Sequence, residues 1–268
     1  MRGRLVGMGA TANVYEWGES EVIKIFHDAS RAQNEAEKEA RTARAVSELT
    51  GVRAPRFVGI EVYEGSACLV YEKVEGPTML EQIQATEEDV IANARLLAEL
   101  QHELHQVQPN VAPNLRLEMG RSIQRVGELS DAEQAKLASI LDRLQDGGAL
   151  CHYDFHPFNV MITAAGPMII DWMNALVGHP AADIARTYLL ITAGELPPGV
   201  PEWLNMTGAR ELFTRTYMDA ILEISGLSVE DVDAWRAPTL AVRISEMSGG
   251  KERETLLAEL RSQEVMRL

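Results

Sequence analysis

The sequence predicts an α+β protein built in two parts, and three observations carry that expectation. Between residues 4 and 71, short apolar runs with strand character alternate with glycine turns and are interrupted by one helix-like stretch. From about residue 78 the apolar spacing changes to three and four, and helical stretches dominate. A third region, 149–172, returns to short strands inside this helical half. Five antiparallel strands with one helix therefore make a small lobe over residues 1–74, and a larger, mostly helical lobe follows over 75–268.

In chain order, residues 4–27 read strand, turn, strand, turn, strand. Residues 30–49 are rich in Ala and Glu, good helix formers; Ser30 with Gln33 suggests a capping box and Gly51 a stop. Ala32, Ala36, Ala43 and Val46 give this helix a thin apolar stripe. Residues 56–62 and 67–71 are two more strands, joined at Glu64-Gly65. Gly76-Pro77 ends the sheet, and Thr78 with Glu81 forms a second capping box. A long helix spans 87–107 on Val90, Ala94, Leu97, Ala98, Leu100, Leu104 and Val107. Its His102 and His105 lack a metal-binding pattern and read as surface or core histidines.

Residues 109–128, with Pro109 and Pro113, read as irregular. Ser130 caps a helix to about Leu144, and Gly147-Gly148 turns the chain into a strand at 149–151. A polar turn from His152 to Asn159 leads to strands at 160–163 and 168–170, and the second of these runs into Asp171. A helix runs from 180 to 190, and residues 196–201 are a Pro-rich surface loop. Three closing helices are expected at 208–225, 229–245 and 251–266, separated by Gly226 and Gly249-Gly250.

Composition narrows the class. A chain of 268 residues with 46% hydrophobic and 24% charged content is ordinary for a soluble globular protein. No apolar run approaches the ~18 residues of a membrane span. Met1-Arg2-Gly3-Arg4 leads straight into strand-like sequence without a signal peptide, so a cytoplasmic location is expected. Cys68 and Cys151 stand in apolar strands and read as buried, reduced thiols. The net charge of -15 argues against nucleic-acid partners and against anionic membranes. It suits a cationic ligand, and solubility alone would also explain it. The oligomeric state is not readable from the chain.

The chemistry concentrates in His152-Tyr153-Asp154-Phe155-His156-Pro157-Phe158-Asn159, with Asp171 after the hairpin. Asp154 and Asn159 lie five apart, the spacing of a kinase catalytic loop, in which the Asp accepts a hydroxyl proton and the Asn and a later Asp hold Mg²⁺. Near the N-terminus, Gly7-Met8-Gly9 precedes a strand rather than a helix, which excludes the dinucleotide-binding fingerprint. It fits the kinase glycine-rich loop, with Ala12 in place of the third Gly and Val14 in its expected position. Val22-Ile23-Lys24-Ile25 matches the strand that carries the phosphate-binding Lys. Strand alternation turns Lys24 away from the apolar face.

Together these motifs resemble the aminoglycoside phosphotransferase and choline-kinase-like family, with Tyr153 where the family usually has Gly. The resemblance implies a bilobal protein-kinase-like fold with ATP between the lobes, and transfer of the γ-phosphate to a hydroxyl of a small molecule. It implies Asp154 as base and Asn159 and Asp171 as Mg²⁺ ligands. The turn at Gly7 and Gly9 would cover the phosphates, Lys24 would grip them, and Glu39 would hold Lys24, with Glu35 as the other candidate. Backbone groups from Glu72 to Val74 would meet the adenine. Asp183 matches the family's later Asp and would brace the loop or cap the helix. The segment after Asp171 is too short for a protein-kinase activation loop, which points to a small-molecule kinase.

The residues alone leave other readings open. His152, Asp154 and His156 alternate, as in a two-His-one-carboxylate iron site. Asp and Asn near turns also serve ordinary capping. A nucleotide-binding pseudokinase or scaffold is the alternative within the fold. Between Glu61 and His105, ten acidic residues stand against Lys73 and Arg95, a local net of -8 that suits a cationic acceptor such as an aminoglycoside or amino alcohol. Antibiotic resistance is one role that would follow.

Overall fold

The computed structural model describes residues 2–9, 11–109, 113–192 and 201–262. The chain divides into two compact units, and each is discontinuous: Met1–Gln82 with Phe158–Asn174, and Ile83–Pro157 with Ala175–Leu268.

In the first unit, strands β1 (Arg2–Met8), β2 (Ala12–Trp17), β3 (Glu21–Phe26), β4 (Phe57–Tyr63) and β5 (Ser66–Glu72) form an antiparallel sheet in the order β1-β2-β3-β5-β4. Helix α1 (Ala32–Ser47) covers one face. Small residues make that contact close: Ala32, Ala36 and Ala40 meet Ala12, Phe26, Ala67 and Leu69, with Phe57 and Tyr71 at the margin. The other face buries Ile23, Cys68 and Val70 beneath Tyr15, Trp17, Ile25 and Tyr63. Both faces are therefore apolar. Alternation turns Lys24 not away from an apolar face but onto the one under α1, paired in register with Leu69.

The capping box expected at Ser30 and Gln33 is absent. The Ser30 amide and hydroxyl both donate to Asp28 Oδ1, at 2.9 and 2.5 Å, so Arg31 starts α1 without a side-chain cap. The box at Thr78 and Glu81 is formed and opens the short α2 (Met79–Gln82). The hairpin β7 (Val160–Thr163) and β8 (Gly166–Ile169) belongs to this same unit. The segment after β5 crosses it: Ile162 N donates to Pro77 O at 2.8 Å, and Thr78 bridges Met161.

The second unit is built on α3 (Glu87–His105), which packs against α7 (Ala209–Ser225). Strand β6 (Ala149–Cys151) pairs with β9 (Leu176–Gly178), a three-residue strand too short to signal itself in sequence. Helix α6 (Pro180–Thr192) follows β9 at once. Residues 115–124, expected to be irregular, form α4 (Leu115–Gln124). Asn114 caps it through Leu117 N at 3.1 Å, and Leu115, Met119 and Ile123 recur at four to make its buried stripe. Ser130 and Glu133 form a full capping box on α5 (Asp131–Arg143).

The single helix expected at 229–245 is two, α8 (Val229–Asp233) and α9 (Arg236–Glu246), broken at Trp235. Pro238 marks the break, because proline is tolerated in a first turn, where its missing N–H has no partner to lose, and not in a helix interior. Helix α10 (Lys251–Leu260) is the last helix among the described residues and stops short of the expected 266, with Arg261 as its C-cap; residues 263–266 and the loop at 196–200 lie outside the described residues. Cys68 and Cys151 are buried and free, as expected. No helix among the described residues is long and apolar enough to cross a membrane.

Gly76 gives this architecture a test. Its φ is +147°, and a Cβ there would lie 2.1 Å from Ile162 O. Gly76→Ala should cost roughly 2 kcal/mol or more, from strained backbone and a displaced hairpin. Gly59→Ala, in the edge strand with open space around it, should change stability by only a few tenths of a kcal/mol. Urea denaturation midpoints of the two variants check this, and equal midpoints would show that the 76–78 crossing carries no strain.

Candidate active site

The sequence-predicted residues fall in both units: Lys24, Glu39, Asn159 and Asp171 in the first, and Asp154 in the second.

In the first unit, the Lys24 ammonium lies between two carboxylates. Its Nζ is 2.9 Å from Glu39 Oε2 and 2.9 Å from Asp171 Oδ1. Glu39 projects from the middle of α1, and its Oε1 also accepts a hydrogen bond from Tyr71 Oη on β5 at 2.8 Å. Glu35 is not at Lys24; it pairs with Arg31 at the start of the same helix. The Lys24 side chain is only 11% exposed. Burial opposes its charge, but Asp171 and Glu39 outweigh burial and raise its pKa, so the ammonium persists at any working pH. Burial pushes the Glu39 carboxyl up, against the pull of Lys24.

Asp171 differs from its partner in two ways. Its side chain is 40% exposed, and its φ is +62°, in the left-handed region that costs a non-glycine residue about 1 kcal/mol or more. Asn159 is buried at the foot of β7, and its carbonyl accepts the Ile170 amide at 2.9 Å, so the hairpin fixes the residue before Asp171 beside Asn159. A carboxylate and an amide oxygen are hard donors of the kind Mg²⁺ takes, and the exposure of Asp171 leaves room for an ion. The pair therefore fits the metal that the resemblance implies.

Gly7 lies in β1 opposite Val14, and Gly9 N donates to Ala12 O at 2.9 Å, which closes the turn between β1 and β2. Residue 10 is outside the described residues. Ala12 is a buried core residue. At the end of β5 the amides of Glu72 and Lys73 are taken by Arg56 O and Ser20 O, at 3.0 and 2.8 Å, and Val74 follows, half-buried.

In the second unit, the turn carrying Asp154 is held by His152, by Asp183, whose bracing role was expected, and by Arg186, which the sequence did not single out. His152 is fully buried, and its Nδ1 faces the Asp154 amide at 3.3 Å. Tyr153 takes φ +62°, a conformation glycine would adopt freely. Its amide donates to Asp183 Oδ1 at 2.7 Å, and its carbonyl accepts from Arg186 Nε at 3.3 Å. Asp154 itself keeps a quarter of its side chain exposed, with His156 Nε2 4.0 Å from Oδ1.

Asp183 is fully buried and accepts further bonds from Gln101 Nε2 at 2.9 Å and His105 Nε2 at 3.0 Å. Burial alone would raise its pKa; these donors together hold it below the ordinary value, so it is a buried anion. Gln101 is in turn held by Tyr217 Oη. His105, Cys151 and Asp183 bring three ligand-type atoms within 4.8 Å. Burial raises the Cys151 pKa well above its usual value, and donors fill the Asp183 carboxylate, so the trio reads as a hydrogen-bonded core cluster. The clue in sequence was the spacing of Gln101 and His105, four apart on one face of α3.

The fold recurs in solved structures. A thermostable mutant of aminoglycoside phosphotransferase APH(4)-Ia aligns over 99% of this chain and 94% of that one, with a TM-score of 0.67 and 13% identity. The GDP and kanamycin complex of APH(2")-IIia aligns over 99% and 93%, with a TM-score of 0.58 and 19% identity. A choline/ethanolamine kinase family protein from Mesorhizobium loti covers 100% of this chain and 88% of its own, at a TM-score of 0.59 and 15% identity. These likenesses establish the kinase-like fold. No curated protein sequence matches the chain. The sequence model of the phosphotransferase enzyme family matches residues 2–221, most of the chain, and the chain belongs to that family.

Proposed function

We propose that this protein is an ATP-dependent small-molecule kinase that moves a phosphoryl group to a hydroxyl of its acceptor. The observation that carries the reading is the buried Lys24 ammonium between Glu39 and Asp171. A structural ion pair needs one carboxylate, whereas a third charge left 40% exposed suits a polyanionic ligand and its metal.

In this mechanism Asn159 and Asp171 hold Mg²⁺, Lys24 contacts the phosphates, and Glu39 with Tyr71 keeps Lys24 in place. When bound, Mg·ATP supplies the phosphoryl group and neutralises charge on its oxygens. The turn between β1 and β2 would cover the phosphates, although the Gly9 amide itself is taken by Ala12 O. With the Glu72 and Lys73 amides already used, the donor to the adenine edge would be the Val74 amide, and the backbone carbonyls from Glu72 to Val74 would be the acceptors. Asp154 accepts the proton of the acceptor hydroxyl as its oxygen bonds to phosphorus and the bond to the leaving nucleotide oxygen breaks. There is little covalent work for the protein, so positioning and charge carry the rate. The acidic run of 61–105 supports a cationic acceptor, and relatives of the fold have been solved with kanamycin, streptomycin and hygromycin B. Part of that run has a local role: Glu87, Glu88 and Asp89 form the first turn of α3, where negative charge is favourable.

Asp171→Ala should abolish Mg²⁺-dependent ATP binding in calorimetry. Asp154→Asn should bind Mg·ATP normally and lose about 10²–10⁴-fold in kcat. Wild-type protein that binds Mg·ATP but turns over no member of a hydroxyl-compound library would establish the scaffold reading instead.

Lys24→Met leaves the buried Glu39 carboxylate without its counter-charge, and Glu39→Ala leaves the Lys24 ammonium with Asp171 alone. Each should weaken nucleotide binding, and the double variant should be far less impaired than the sum, with a coupling of about 1–3 kcal/mol. Additive effects in the binding cycle would dismiss the pair as a functional unit.

For the acceptor, kcat/KM should favour cationic over matched neutral compounds and fall as salt rises from about 0.01 to about 0.15 M, over which the Debye length shrinks from roughly 30 to roughly 8 Å. A preference for neutral acceptors without salt dependence would remove the cationic assignment and leave phosphotransfer standing.

A further inference from the structure

We propose that Arg186 is a positioning residue for Asp154, holding the left-handed turn at Tyr153 from which Asp154 projects. The inference rests on the reading of Asp154 as the catalytic base. Tyr153 cannot keep φ +62° unaided, because a bulky side chain in that region is strained and persists only where its surroundings enforce it. Two residues one turn apart on α6 enforce it here. Asp183 takes the Tyr153 amide, and Arg186 takes its carbonyl. The Arg186 guanidinium also lies 5.4 Å from the centroid of the Tyr153 ring, so backbone and side chain are both engaged.

Arg186 is itself fully buried, 1% exposed, and held by Glu246 of α9, whose Oε2 accepts from Nη2 at 2.6 Å. Its charge also interacts with Asp154. Stability alone does not account for this arrangement. A buried arginine is costly unless all its donors are satisfied, and Nη1 has no acceptor among the described residues. A well-packed apolar side chain of similar length would stabilise the unit at least as well. What an apolar residue cannot do is hold the Tyr153 carbonyl and bring a positive charge close enough to interact with Asp154.

The test uses the full chain with Arg186→Met, Arg186→Lys, and Arg186→Met combined with Asp154→Asn. Turnover is followed with Mg·ATP and the best acceptor from the library, or with water as acceptor where none is better. Arg186→Met should lower kcat by about 100-fold, the scale of a displaced catalytic group, with the Kd for Mg·ATP changed by less than about threefold. Arg186→Lys should recover part of the loss. In the Asp154→Asn background, adding Arg186→Met should change the residual kcat by less than about twofold, because the group it positions is already gone.

Amide hydrogen exchange across residues 152–156 should be faster in Arg186→Met while protection elsewhere in α3 and α7 holds. Should Arg186→Met not fold, the same cycle and exchange measurement with Arg186→Lys decide the matter. An unchanged kcat, an unchanged exchange rate at 152–156, or a full loss added on top of Asp154→Asn overturns the role of Arg186 and leaves the kinase reading intact. A full rate in Asp154→Asn, or no turnover by the wild type, removes the reading of Asp154 and this inference with it.

Discussion

Taking a lysine ammonium out of water is expensive, and the first unit of this protein is arranged around making it tolerable. Lys24 lies on the sheet face under α1, where an unpaired charge would not survive. Glu39 comes from the helix, Asp171 from the end of a hairpin some 150 residues later in the chain, and Tyr71 from a neighbouring strand steadies Glu39. The interaction thereby fixes which way α1 is rotated on the sheet and where the hairpin ends. Alanines at 32, 36 and 40 bring the helix close enough for the glutamate to reach.

The second unit solves a different problem. Its charged groups brace a turn of backbone. Asp183 and Arg186 act on the two ends of one residue, and a second layer of Gln101, His105, Tyr217 and Glu246 holds them in turn, leaving Arg186 Nη1 without an acceptor among the described residues. Such a network restrains the strained turn that carries Asp154, the residue proposed as the base. Both Tyr153 and Asp171 adopt left-handed φ values, each next to or at a residue with a proposed chemical role. Backbone strain of this kind marks positions where geometry outranks local preference.

Much of the fold was legible in the chain. The strands of the sheet, α1, α3, α5 and the hairpin after Asn159 follow from alternation, helical spacing and turn residues, because each signal is local. The failures were local competitions that another contact won. Ser30 had a nearer partner in Asp28 than the helix end. Prolines near 109–113 masked the clear four-residue spacing of Leu115, Met119 and Ile123. Pro238 marked a helix start that a continuous apolar pattern concealed. Strand β9 is three residues long and exists only because β6 lies beside it.

By itself, the sequence determined the identities and spacings of the candidate site residues: Lys24 in its strand, Asp154 five residues before Asn159, and Asp171 after a hairpin. Spacing along one segment constrains a local turn, so these could be read directly. Which glutamate meets Lys24 was decided only in three dimensions, since Glu35 and Glu39 are one helical turn apart on the same face and the position of α1 along the sheet selects between them. The same holds for Arg186 and Glu246, which are sixty residues apart and carry no shared pattern. Long-range pairing depends on packing, and packing is what the linear chain does not display.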